Sequence, residues 1–220
     1  MANPTRGDTW LSQGYSTAVG DYVSVGAIPF PDSEPSHQPV ANWNDDISLI
    51  LYRGDTEVGR TDYYYRTFYF DVEPGTYRAV MRIDRTAPGW EFSRSSTTEW
   101  TFTITETGVS RTISAPRLSY DVGVDLRNRV EGGRQQRFTV RATPQRNGDP
   151  AVTAVRTWAS YDDGATWTPV RLTSTETPGE FTARLPHTRR TAGYVTLRTV
   201  AADASGNQLD QTVTRAFGLR

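Results

Sequence analysis

Thr98-Glu99-Trp100-Thr101-Phe102-Thr103-Ile104-Thr105 decides the fold class. Side chains alternate in an extended chain, so Trp100, Phe102 and Ile104 share one face while Thr101, Thr103 and Thr105 share the other. One face is therefore buried and the other wet, the signature of an antiparallel sheet. Segments of the same kind precede it: Tyr22–Val25, Ile47–Tyr52, a short return through Val58, Tyr64–Val72 and Thr76–Asp84. Gly, Pro, Asn and Asp punctuate them, and helical periodicity is hard to find anywhere.

The pattern pauses at Ser114-Ala115-Pro116 and restarts. Leu118–Leu126, Arg137–Arg141, Val152–Tyr161, Thr166–Leu172, Glu180–Leu185, Tyr194–Ala202 and Leu209–Phe217 read as seven strands. That number over about 100 residues suits an immunoglobulin-like or fibronectin type III-like sandwich. The expectation is an all-β chain of two tandem β-sandwich domains, residues 8–115 and 116–220. Ala115-Pro116 is too short for a free tether, so a fixed interface is expected.

Composition narrows the classes. A net charge of −1, with basic residues scattered, leaves no electrostatic footprint for nucleic acid. No apolar run approaches the ~18 residues of a membrane helix. All 24 basic residues are Arg, which reads as GC-rich codon usage rather than a surface adapted against Lys-directed proteolysis. With no Cys, packing alone must hold each domain. Met1-Ala2-Asn3-Pro4-Thr5-Arg6-Gly7-Asp8 lacks the apolar core of a signal peptide, so a secreted origin cannot be read from this end.

Catalytic patterns are missing. The two histidines, His37 and His187, sit in Pro-flanked loops without a triad motif, and no nucleophile elbow, zinc motif or phosphate loop occurs. No catalytic residue, metal or cofactor is expected. Asp203-Ala204-Ser205-Gly206-Asn207 reads as an Asx-type turn with Gly206 and Asn207 left-handed, since a calcium loop needs more oxygen ligands. Arg53-Gly54-Asp55 spells the integrin-binding tripeptide but sits where a hairpin needs a turn.

Ser160-Tyr161-Asp162-Asp163-Gly164-Ala165-Thr166-Trp167 matches the Asp-box pattern, S-x-D-x-G-x-T-W. Its physics is a self-stabilised hairpin built from Ser160, Asp162, Gly164, Thr166 and Trp167. The carboxylate accepts turn N–H groups, Gly164 supplies a positive φ, and Trp167 packs back. Sialidases carry several copies plus an Arg cluster, whereas one copy occurs here, so the structural reading is preferred.

The candidate binding residues are aromatic. Alternation through Tyr63–Phe70 places Tyr64, Phe68, Phe70 and Val72 in the core and Tyr63, Tyr65 and Tyr69 outside, a row suited to stacking sugars or docking a domain. Trp158 shares a face with Arg156 and Ser160 and is expected to point outward.

Taken together, Gly20–Val25, Leu51–Asp55, Gly75–Arg78, Glu99–Phe102, Ser160–Trp167 and the ending Ala201–Asn207 through Thr212–Arg220 resemble one family. It is the C-terminal region of large secreted subtilisin-like serine proteases from Streptomyces and related actinobacteria. Ala216-Phe217-Gly218-Leu219-Arg220 is the most specific piece, similar to the family's A-Y/F-x-L-R tail. The resemblance implies an extracellular home and an upstream catalytic domain as partner. The family's signatures around its catalytic Asp, His (H-G-T) and Ser (G-T-S-M-A) are absent, so no catalytic residue carries over. The expected function is a non-catalytic accessory module that stabilises, docks or targets the protease toward protein or polysaccharide. The alternative is a stand-alone extracellular carbohydrate- or protein-binding sandwich.

Overall fold

The computed structural model of the chain describes residues 9–27, 45–86, 88–185 and 192–220. His37, His187 and the Pro29–Pro39 stretch lie outside the described residues. Within them the chain is all-β, with sixteen strands and no helix.

Four strands form one sheet in the order β5-β2-β1-β8: β1 (Thr9–Ser16), β2 (Gly20–Ala27), β5 (Tyr65–Tyr69) and the two-residue β8 (Arg111–Thr112). Facing it are β4 (Thr56–Thr61), β3 (Asp45–Arg53), β6 (Gly75–Arg85) and β7 (Ser95–Ile104), in that order. Leu11, Val23, Val25 and Phe68 from the first sheet, and Leu49, Leu51, Tyr77, Met81, Trp100, Phe102 and Ile104 from the second, are buried in a common core. Phe68 packs so closely on β4 that a Cβ at Gly59 would lie 2.3 Å from its ring.

The alternation in Thr98–Ile104 is realised as read, with Trp100, Phe102 and Ile104 all at most 1 % exposed. The RGD tripeptide forms the β3–β4 turn, with Gly54 at φ 56°. In a two-residue hairpin a positive φ at the first central position suits the strand twist.

Past Pro116 the strands are β9 (Arg117–Asp121), the two-residue β10 (Arg129–Val130), β11 (Arg137–Thr143), β12 (Val152–Ser160), β13 (Thr168–Ser174), β14 (Glu180–Arg184), β15 (Gly193–Asp203) and β16 (Gln208–Leu219). β12, β15 and β16 pair in that order, and β14, β11 and β9 pair opposite; β13 pairs with both β12 and β14 and so carries the chain from one layer to the other. Phe138 on β11 meets Phe217 on β16 with ring centroids 6.5 Å apart.

The predicted strand Leu118–Leu126 is corrected to Arg117–Asp121. Gly123 turns the chain at φ 63°, and Asp125 Oδ1 accepts the N–H groups of Arg127 and Arg129 at 2.8 and 2.9 Å. A side chain that caps its own turn competes with the ladder and ends the strand.

Strand pairing crosses the predicted boundary at 115/116. β7 pairs antiparallel with β16 from Ser95↔Thr214 to Thr101↔Gln208, which joins β4-β3-β6-β7 to β16-β15-β12 as one continuous sheet. On its inner face Thr157, Thr199, Gln211 and Thr98 form a buried polar row across four strands. Thr157 and Thr199 share a hydrogen bond at 3.0 Å, and Gln211 donates to Thr98 at 3.3 Å. On its outer face the Arg198 guanidinium lies 5.7 Å from the Trp158 ring and donates two bonds to Asp210, at 3.0 and 2.6 Å. Glu99 of β7 pairs across the junction with Asp210, and on its own side accepts from Arg78 at 3.1 Å, whose guanidinium lies 4.4 Å over Tyr52.

Candidate binding face

The outward side of the β5-β2-β1-β8 sheet carries the predicted Tyr row. Tyr65 and Tyr69 are 56 % and 63 % exposed on edge strand β5, and Tyr63, just before it, is 51 % exposed. Tyr64 and Phe70 are partly buried against the core, while Phe68 and Val72 are fully in it. The structure adds two features to the row. Tyr22 pairs across from Tyr69, with ring centroids 5.7 Å apart and planes at 56°. The Tyr22 ring then lies over the next strand, because a Cβ at Gly14 would come within 2.1 Å of it. Only glycine leaves that space free.

Beside these rings runs a row of hydroxyls. Thr112, Ser12, Ser24 and Thr67 pair in succession across β8, β1, β2 and β5. Ser24 and Thr67 hydroxyls are 2.8 Å apart. Two residues along each strand separate the hydroxyl row from Tyr65 on one side and from Tyr22 and Tyr69 on the other. At the usual rise that is about 7 Å each way.

Trp158 is not part of this face. It lies on β12 in the other sheet, half-buried, with Arg198 against its ring.

The Asp-box residues make a closed set of bonds. Asp162 accepts from Ser160 Oγ at 2.7 Å, Thr166 Oγ1 at 2.6 Å and Thr166 N at 2.8 Å, while Ser160 Oγ accepts from Gly164 N at 2.8 Å. Gly164 has φ 97° beside the Trp167 ring, and Asp163 is left-handed as well, at φ 56°. The Asp163 carboxylate is chelated by Arg215, whose hydrogen bonds hold it below the usual carboxylate range. Arg215 itself is left-handed at φ 53°, at the irregularity between β15 and β16, and stacks 4.5 Å over Tyr194. The hairpin is thus tied to β16.

Hydrogen bonds from Thr166 and Ser160 hold the Asp162 carboxyl at about 2, below the ordinary value of 3.8. A depressed carboxyl stabilises the fold above its unfolded value, and that contribution is lost as pH falls through the folded value. The Tm difference between wild type and D162N is therefore expected to be full at neutral pH and to shrink as pH drops from about 4 toward 2. Thermal melts of both proteins across that window check it; a gap that stays constant would show that the ionised carboxylate is not what braces the turn.

The Asp203 turn is also self-sufficient. Its carboxylate accepts from Ser205 N and Asn207 N, each at 2.9 Å, and from Asn207 Nδ2 at 3.0 Å. Gly206 is left-handed at φ 83°, but Asn207 is not, correcting that part of the expectation. Asn207 is buried and spends its side chain on Asp203 rather than on a backbone reversal.

A cleft of about 520 Å³ opens between residues 89–93, with Arg85, and residues 124–128. Trp90 is half-exposed there under the Arg85 guanidinium, 4.1 Å away, and Leu126 is fully exposed. Nothing in the sequence reading pointed to it, because its two walls come from opposite sides of Pro116. In its wall Glu91 accepts from Arg129 and, at 2.7 Å, from the Tyr194 hydroxyl. No group of three or more His, Cys, Asp or Glu side chains is gathered for a metal among the described residues.

A scan of family models finds none that matches this chain, and no curated protein matches its sequence.

Proposed function

We propose that this chain is a non-catalytic, extracellular accessory module of a larger secreted subtilisin-like serine protease. Two immunoglobulin- or fibronectin-like sandwiches, residues 8–115 and 116–220, compose it in this reading. The module holds the catalytic domain to a substrate or partner through the Tyr-bordered sheet face. The observation that carries the proposal is the placement of Tyr65 and Tyr69 on an outward sheet face beside Tyr22. Exposed aromatic clusters of this kind mark interaction surfaces, because rings left in water gain most from being covered. The polar constellations with most chemistry, at Asp162 and Asp203, spend their donors and acceptors on their own turns.

Two measurements test it. An antibody to these residues is expected to detect, in culture fluid, a band well above 24.6 kDa that a fluorophosphonate probe also labels. A band at the chain's own mass favours the second reading, a stand-alone carbohydrate- or protein-binding sandwich, which the same Tyr face motivates. Replacing Tyr63, Tyr65 and Tyr69 with Ala is expected to abolish docking or substrate targeting at a stability cost of at most about 1 kcal/mol, since all three are surface positions. Unchanged targeting in that variant removes the role assigned to the face.

A further inference from the structure

We infer that the occupant of this face is an uncharged polysaccharide, bound as an extended chain running across the strands. The inference rests on the docking role proposed above for the same face and names its ligand. Three observations carry it.

The first is charge. Of the whole chain 22 % of residues are Asp, Glu or Arg, yet the outward register positions of β5, β2, β1 and β8 are Tyr, Trp, Ser, Thr and Gly, none of them charged. The outer face of the other sheet is the opposite, a ladder of Arg198, Asp210, Glu99 and Arg78. A charged ligand would find no counter-charge here. A neutral one loses nothing by binding where water-ordering ions are absent.

The second is chemistry. A pyranose ring has a face of C–H bonds, slightly positive, and a rim of hydroxyls. Tyr rings present a negative π face to the first. The row Thr112, Ser12, Ser24 and Thr67 presents hydroxyls, each both donor and acceptor, to the second. A ring stacked on Tyr22 or Tyr69 has that row alongside it, about 7 Å away at its backbone.

The third is shape. The hydroxyl row crosses four strands, about 14 Å at the usual strand spacing. Short side chains floor it, and Tyr65 stands on one bank with Tyr22 and Tyr69 on the other. Gly14 keeps the Tyr22 ring laid down across β1, so this bank extends over three strands. A trough of that length fits several linked sugars better than a single one. Peptide backbone, by contrast, would seek the edge of β5, which no described strand pairs, rather than its face.

The test is affinity electrophoresis of the full chain through gels containing cellulose derivative, xylan or soluble chitin, with heparin and gelatin gels alongside. Retardation by at least one neutral polysaccharide, unchanged by added salt, is the expected result. Tyr22→Ala combined with Tyr69→Ala is expected to weaken it at least tenfold, the size of a hot-spot loss. Ser24→Ala with Thr67→Ala, which leaves the rings in place, is expected to weaken it severalfold. Circular dichroism melts within a few degrees of wild type confirm that each variant is folded. Retardation by heparin alone, abolished by salt, overturns the inference, as does neutral-glycan binding that the Tyr pair does not affect. Tyr-dependent retention by gelatin without any by glycan also overturns it while leaving the docking role intact. Retention by none of the gels overturns the ligand assignment, and the culture-fluid band then decides the accessory reading separately.

Discussion

Trp100→Ala is expected to lower the unfolding free energy by about 3–5 kcal/mol, the range for deleting a large aromatic side chain from a core. Trp100 is 1 % exposed in the middle of β7, with Ala79 of β6 on one side and Leu209 of β16 on the other. Ala79 is too small to fill the space, and all three backbones are locked in ladders, so the cavity cannot collapse. Trp100→Phe separates volume from polarity. The indole N–H is buried with no acceptor among the described residues, so losing it removes an unsatisfied donor and offsets part of the lost packing. We expect about 1–2 kcal/mol for that variant, within the usual range for modest core shrinkage. Denaturant titrations followed by far-UV circular dichroism measure both. A loss below about 1 kcal/mol for Trp100→Ala would falsify its place at the centre of the core.

Thr212→Pro is expected to cost about 3 kcal/mol or more and to change how the chain unfolds. Thr212 lies on β16 between Arg198 of β15 and Thr97 of β7, so its strand has a hydrogen-bonded neighbour on each side. Proline removes an N–H there and is found in sheets almost only at edges. Thr212→Ala, which keeps the N–H at a half-buried position, is expected to cost less than about 1 kcal/mol. The buried side chains of both halves form one cluster and β7–β16 pairing joins their sheets, so the wild type is expected to unfold in a single transition. In Thr212→Pro the residues on either side of the junction should lose their coupling and melt separately by calorimetry. Two separated transitions already present in the wild type would mean that this pairing does not couple the halves.

Alternation with period two was enough to read the all-β class and the inward and outward faces of the Thr98–Ile104 and Tyr65–Tyr69 stretches. Trp100, Phe102 and Ile104 went inward and Tyr65 and Tyr69 outward as their spacing required. The Asp-box and the Asp203 turn were legible for a related reason: their bonds close within a few residues, so local sequence contains all the partners. β1 was missed. Thr9–Ser16 holds strand-favouring Thr, Trp and Tyr but no alternating apolar pattern, and it is extended because β2 and β8 pair with it on both sides.

Neighbours were decided only by the tertiary structure. Ladder bonds join one backbone to another regardless of side chain, so a strand's sequence states its faces without stating what lies beside it. Nothing in Tyr22 announces that Tyr69, far along the chain, lies beside it, nor in Thr112 that it continues a row through Ser12, Ser24 and Thr67. Nor does β7 specify in its residues that β16, from the other side of Pro116, completes its hydrogen bonds. The sequence alone determined an all-β chain with its aromatic residues sorted between core and surface. The tertiary structure alone decided that the surface aromatics stand along a row of hydroxyls, because only strand pairing places residues from four separate strands on one face.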